Sequence, residues 1–228
     1  RLQELAELLG CARCDPVPPD VNERPRVAAV DVDGTLTTSD CVVPFLRRTA
    51  GTPRLVSRLL SSPVANGRAV VRRDRDALKA ASAAAAFSGV PIATLETDGA
   101  RFAREVHDRR LRPDALGSLR GHLDAGDTVL LVSASFDVYL RPLAELLGVH
   151  DVLAVRLETD GAGVLTGRLD GPNCRGPEKV VRLHDWLDRH AGGRAAVHLS
   201  AYGDSSGDRE LLADADDAHW LGRGEMPR

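Results

Sequence analysis

Lysine is almost missing from this chain. Of 30 basic residues only Lys79 and Lys179 are lysine; the rest are arginine. Beside the abundant alanine this reads as compositional bias, and it makes each lysine worth separate inspection. Cysteine is also sparse, at four residues: Cys11, Cys14, Cys41 and Cys174. Cys11 and Cys14 form one CxxC, but a structural zinc site needs about four ligands, and no second CxxC or nearby CxxH follows. Reduced thiols in a cytoplasmic protein are the better reading. No apolar run approaches the roughly 18 residues a membrane span needs, and no signal-peptide pattern precedes the first apolar strand. The chain begins at Arg1 rather than methionine, as a trimmed or partial chain would. Neither charge is in excess: 33 acids face 30 bases, so bulk charge makes no case for a nucleic-acid partner. There is no GxGxxG or GxxxxGK, which removes two common nucleotide-binding loops. No internal repeat is present.

With 228 residues, 43% of them hydrophobic, the chain can bury one large core or a core with an insertion. Residues 1–25 read as a short helix, with Leu2, Leu5, Leu8 and Leu9 at helical spacing, and a lead-in broken by Pro16, Pro18, Pro19 and Pro25. The run Val27 to Val30 predicts a strand buried on both faces. Residues 40–108 then read as helical, over Arg47 to Leu60, Arg68 to Phe87 and Thr97 to Asp108. Residues 26–39 and 109–228 carry the alternating α/β pattern. Helices are expected over Pro113 to Ala125, Phe136 to Leu147, Pro177 to His190 and Arg209 to Ala213. Strands are expected over Thr128 to Val132, Val152 to Leu157, Ala196 to Tyr202 and Ala218 to Leu221, with a hairpin over Leu157 to Leu169. This alternation implies a parallel sheet, whose ligands sit beyond the carboxyl ends of its strands.

Four clusters fall near those strand ends. Asp31-Val-Asp33-Gly34-Thr35 closes the first strand: two carboxylates can converge on one cation or phosphate, Gly34 turns the chain away, and Thr35 offers a hydroxyl. Ser133-Ala134-Ser135 follows TVLLV, where a small hydroxyl and the N–H groups of the next helix can meet an anion; Ser135 reads as the helix N-cap. Lys179 lies in the first turn of a helix, where a cation has some cost, which favours a specific role. Gly203 to Asp208, GDSSGD, adds Asp204 and Asp208 on a tight loop. Magnesium takes oxygen ligands, commonly one or two carboxylates with phosphate and water, whereas a calcium loop would want a twelfth-position glutamate absent here.

These motifs resemble the haloacid dehalogenase superfamily of phosphatases, most closely its phosphoserine-phosphatase-like branch, subfamily IB. The resemblance runs from about Val27 to Leu221. It implies a Rossmann-like α/β core with a helical cap inserted after the first strand, at residues 40–108. It also implies a Mg2+-dependent phosphomonoester hydrolase: Asp31 as nucleophile, Asp33 as acid/base, and Asp31, Asp33, Asp204 and Asp208 at the metal. Gly34, Thr35, Ser133, Ala134 and Lys179 would bind phosphate. Asp40 stands where phosphoserine phosphatases carry a substrate-binding glutamate, and Gly207 replaces a residue that is often polar. Asp40, Arg72 and Arg75 are the candidates for substrate selection, within an arginine group that also holds Arg68 and Arg73; a solvated helical face is the plainer account of those arginines. The expected partner is a small phosphomonoester such as phosphoserine. Alternatives are a lipid or sugar phosphate with peripheral membrane contact, transfer to an acceptor other than water, and a binding module that has lost catalysis, against which the complete acid, serine and lysine set argues.

Overall fold

A computed structural model describes residues 24–60 and 75–226 of the chain. Six strands form one sheet: β1 (Arg26–Val30), β2 (Thr128–Phe136), β3 (Asp151–Thr159), β4 (Leu165–Asp170), β5 (His198–Gly203) and β6 (Asp217–Trp220). Their order is β4-β3-β2-β1-β5-β6, parallel except for β4, which runs antiparallel to β3. β1 is central because Val27 to Val30 are all buried, and an apolar run without alternation needs cover on both faces.

Between β1 and β2 the chain passes through α1 (Val42–Ala50), α2 (Thr52–Leu60), α3 (Arg75–Phe87) and α4 (Ile92–Arg109). Helix α5 (Pro113–Asp124) then leads into β2, α6 (Asp137–Leu147) joins β2 to β3, α7 (Pro177–His190) joins β4 to β5, and α8 (Arg209–Asp214) precedes β6. Among the described residues no helix is long and apolar enough to cross a membrane.

Val30 stands beside Leu131 of β2 and Tyr202 of β5. The residues that follow in each strand therefore leave from one rim of the sheet. That register brings together three motifs separated by about a hundred and by seventy residues of chain.

The expected helices and strands are present where the chain is described, with shifts at their ends. Helix α1 starts at Val42 rather than Arg47, because Pro44 falls in the first turn, where its missing N–H is not needed. Helix α4 starts at Ile92, five residues early. Strand β2 continues through Phe136, so Ser133 and Ser135 belong to the strand itself. The hairpin forms between β3 and β4, its turn held by the Asp160 carboxylate, which accepts the N–H groups of Ala162 and Val164 at 2.9 Å. The expected first helix, Cys11, Cys14, Arg68, Arg72 and Arg73 lie outside the described residues, as does the side chain of Arg75.

The chain has four phenylalanines, and all four enter one cluster with Tyr139. Phe45, Phe87 and Phe102 come from the inserted helices; Phe136 and Tyr139 come from the end of β2 and from α6. Ring centroids lie 4.8 to 6.4 Å apart, the spacing of offset and edge-to-face pairs. A second joint sits between α4 and α6. Pro142 has no N–H for the Val138 carbonyl four residues earlier. Gly99 of α4 approaches that same carbonyl so closely that a Cβ would collide with it. Gly99→Val should lower the unfolding free energy by about 2–3 kcal/mol through overpacking, read as a shift of the urea midpoint with unchanged slope.

Candidate active site

The rim over β1, β2 and β5 is acidic and buried. The Asp31 N–H extends the sheet by donating to the Tyr202 carbonyl at 3.0 Å, and its carboxylate lies in the site, 6% exposed. A wide turn, Val32–Leu36, then carries the chain away. Gly34 has φ +85° and lies so close to the Asp204 carboxylate that any side chain would displace it. The Thr35 hydroxyl is buried and donates to Asp204 Oδ1 at 3.2 Å.

Lys179 crosses from the first turn of α7 into this rim and is 1% exposed. Its ammonium donates to Asp31 Oδ1 at 2.5 Å, Asp208 Oδ1 at 2.6 Å and the Val132 carbonyl at 2.7 Å. Three donors thus meet three acceptors, which is what a buried ammonium requires. Asp208 spends its second oxygen on the N–H and hydroxyl of Ser205, at 3.0 and 2.8 Å. Oxygens of Asp31, Asp204 and Asp208 lie within 4.8 Å of one another. An all-carboxylate set of that spacing suits a hard divalent cation.

Asp33 is held apart from this group. Its Oδ2 accepts the Ser135 hydroxyl, and its Oδ1 accepts the Cys41 N–H at 2.9 Å. This corrects the reading of Ser135 as a helix cap: the cap position of α6 is Phe136, with no side-chain bond, and Ser135 instead grips Asp33. The Ser133 hydroxyl accepts the Ser135 N–H at 3.1 Å. Asp40 is exposed and accepts the Val43 N–H at 3.0 Å, so it caps the start of α1 while also lining the cleft. Asp31, Asp33, Ser133, Ala134, Lys179 and Asp204 all border that cleft, of about 230 Å3. A larger cavity of about 430 Å3, bordered by Ile92, Arg141 and Arg156, lies away from these residues; size is not what marks the site here.

One contributor escaped sequence reading. Arg112 donates to the Gly34 carbonyl at 2.9 Å and the Leu221 carbonyl at 3.2 Å, pinning the turn that carries Asp33. Its orientation is set by Asp114, 2.7 Å away. Among so many arginines nothing singled it out.

Burial governs the titration of the group. It pushes the Asp31 carboxyl up to about 7 against the pull of Lys179, with Asp208 adding to the rise. Asp33 is raised by burial, opposed by the Ser135 hydrogen bond, and Asp204 by burial and then Asp208. Burial works the same way on Asp208, but Lys179 outweighs it and holds that carboxyl below its usual range. Burial would lower the Lys179 amine; Asp31 and Asp208 reverse this and keep it charged.

Residues 28–213 match the family of haloacid dehalogenase-like hydrolases, and the chain belongs to that family. It is 37% identical over 208 residues to Protein CicA of Caulobacter vibrioides, covering 91% of each chain. It is 28% identical to a phosphoserine phosphatase of Polaromonas sp., over 83% of this chain and 76% of that one. A solved structure of a Bordetella pertussis Tohama I protein of unknown function superposes with a TM-score of 0.65 at 27% identity, covering 83% of this chain and 86% of the other.

Lys179→Met would leave two buried carboxylates without their counter-charge. The unfolding free energy at pH 8 should fall by about 3–5 kcal/mol. The loss should be smaller at pH 5, where Asp31 already carries its proton in the parent protein. Denaturant titration at both pH values checks this.

Proposed function

We propose that this hydrolase is a phosphatase that cleaves small phosphomonoesters through a phospho-aspartate on Asp31. The observation that carries the reading is the separation of two aspartates two residues apart. Asp31 faces Lys179 and the acidic cluster, while Asp33 is turned to Ser135 and Cys41. One carboxylate is placed to attack and the other to move a proton.

In the first step an Asp31 oxygen attacks phosphorus as the bond to the leaving oxygen breaks, and Asp33 gives that oxygen its proton. In the second, water attacks the same phosphorus, Asp33 takes a proton from it, and the Asp31–phosphorus bond breaks to release phosphate. Ser133 binds an equatorial oxygen, and so does the Lys179 ammonium once its bond to Asp31 Oδ1 is released as Asp31 turns to phosphorus; positioning and charge do most of the catalysis there. Asp31, Asp204 and Asp208 would hold Mg2+, with the main-chain carbonyl of Asp33, since the Asp33 side chain is engaged elsewhere. When bound, the ion supplies positive charge that lets an anionic carboxylate approach an anionic phosphate. The helices between β1 and β2 act as the cap, closing over the site and choosing the leaving group.

The phosphoserine phosphatase of Polaromonas sp. supports the reaction class. Its substrate does not transfer directly, because Asp40 already caps α1 and is shorter than a glutamate.

A panel of phosphomonoesters assayed with Mg2+ and with EDTA tests the reading. Turnover should require the ion, vanish in Asp31→Asn, and fall about 100- to 1000-fold in Ser133→Ala. Retained turnover in Asp31→Asn would remove the nucleophile. Metal binding should also displace the proton held on Asp31. Calorimetric Mg2+ titrations at pH 6, in buffers of different ionisation enthalpy, should show release of about one proton per ion, with affinity rising toward pH 8. An affinity independent of pH would place Asp31 outside the metal site.

A further inference from the structure

A second chamber of about 360 Å3 adjoins the acidic cleft, and the two share Asp33, Asp40, Ala134 and Arg175. If Asp33 protonates the leaving oxygen, the leaving group must lie on this side of it. Val42, Val43, Leu46 and Leu78 form an apolar wall, and Lys79 of α3 stands among them. The chain's two lysines therefore serve different aspartates: Lys179 contacts Asp31 and Asp208, whereas Lys79 lines the chamber that Asp33 and Asp40 border.

The roles of the two lysines differ. Lys179 is saturated by two carboxylates and a main-chain carbonyl. Lys79 rests its ammonium over the Phe136 ring, 4.6 Å from the centroid. Among the described residues Asp33, Asp40 and Asp76 act on it through space, without a hydrogen bond. Asp76, one turn earlier on α3, is held by the Asn173 amide at 2.6 Å. Asp40 is occupied by the Val43 N–H. Burial pushes the Lys79 amine down to about 8, with Asp33 and Asp40 resisting the fall. Arg175, tethered to the Ser206 hydroxyl at 3.1 Å, adds a second cation at the boundary of the two spaces. A lysine laid on an aromatic face keeps its charge without spending it on a carboxylate.

Resting on the phosphatase reading, we infer that Lys79 and Arg175 bind a negative charge on the leaving alcohol. The preferred substrate is then a phosphomonoester with a second anionic group, its apolar part against Val42, Val43, Leu46 and Leu78. The second anion is a carboxylate on a small acid or a phosphodiester in a lipid headgroup. Both present the same chemistry to the two cations.

Two matched pairs separate these sources: 3-phosphoglycerate against glycerol 3-phosphate, and short-chain phosphatidylglycerol phosphate against lysophosphatidic acid. In one pair the charged member should show a kcat/KM about 10- to 100-fold higher, the value of a charge-assisted hydrogen bond. Lys79→Met should shrink that ratio about tenfold, Lys79→Arg should restore most of it, and Arg175→Gln should move it the same way as Lys79→Met. Both members are assayed on one preparation, so the ratio does not depend on the fraction folded. Equal rates within both pairs, or a ratio that Lys79→Met leaves unchanged, overturns the inference alone. No turnover of any ester with Mg2+ removes the phosphatase reading, and this inference with it.

Discussion

Everything at this site depends on how a small buried volume balances its charge. Asp31, Asp33, Asp204 and Asp208 converge on one rim, and Lys179 is the cation in direct contact with two of them. A single ammonium cannot neutralise that set: burial first, and then Asp208, push Asp31 up to about 7 despite a lysine at 2.5 Å. Such a site has two ways to become comfortable: take up protons or take up a multivalent cation. The first neutralises the carboxylates. The second leaves them ionised, and oxygens of Asp31, Asp204 and Asp208 within 4.8 Å of one another suit a hard divalent cation.

The sheet supplies the precision that this balance needs. Parallel pairing puts Val30, Leu131 and Tyr202 side by side, so each strand delivers its polar residues to the same height. Main-chain bonds then fix the loops: Asp31 to Tyr202, and the Gly34 carbonyl to Arg112. Lys179 adds the Val132 carbonyl to its two carboxylates, which anchors the ammonium to β2 as well as to charge. Moving any one strand end would therefore disturb the lysine and both acids together.

Much of this was legible in the sequence because buried strands and the acidic, glycine-bearing turns that follow them leave strong marks. VAAV before Asp31, TVLLV before Ser133 and GDSSGD after a strand announce positions on one rim, and Lys179 stood out by its rarity and by its place in a helix's first turn. Element ends were less legible. Pro44 sits harmlessly in the first turn of α1, ahead of the expected start at Arg47, and β2 runs on to Phe136, which pairs with Val155 of β3 past a register shift. Side-chain partnerships across long separations were not legible at all. Nothing in the sequence around Ser135 says that its hydroxyl meets Asp33, 102 positions away. Nothing around Arg112 says that it holds Gly34, 78 positions away. Lys79 was conspicuous as one of two lysines, yet its position against Asp33 follows only from how α3 packs.

The end of β2 joins chemistry to selection. Ser133 borders the cleft, Ser135 grips Asp33, and Phe136 supports Lys79 from below. Phe136 also packs on Phe45 and Phe87, so the inserted helices rest on the strand whose Ser135 orients Asp33. A change in how those helices sit would be felt at this aromatic contact as well as at the Gly99–Val138 joint. Repacking at the aromatic contact would shift Lys79 and the Ser135 hydroxyl that holds Asp33 in a single movement. The scarcity of aromatic residues sharpens the point: the phenylalanines of this chain are all spent on that one joint.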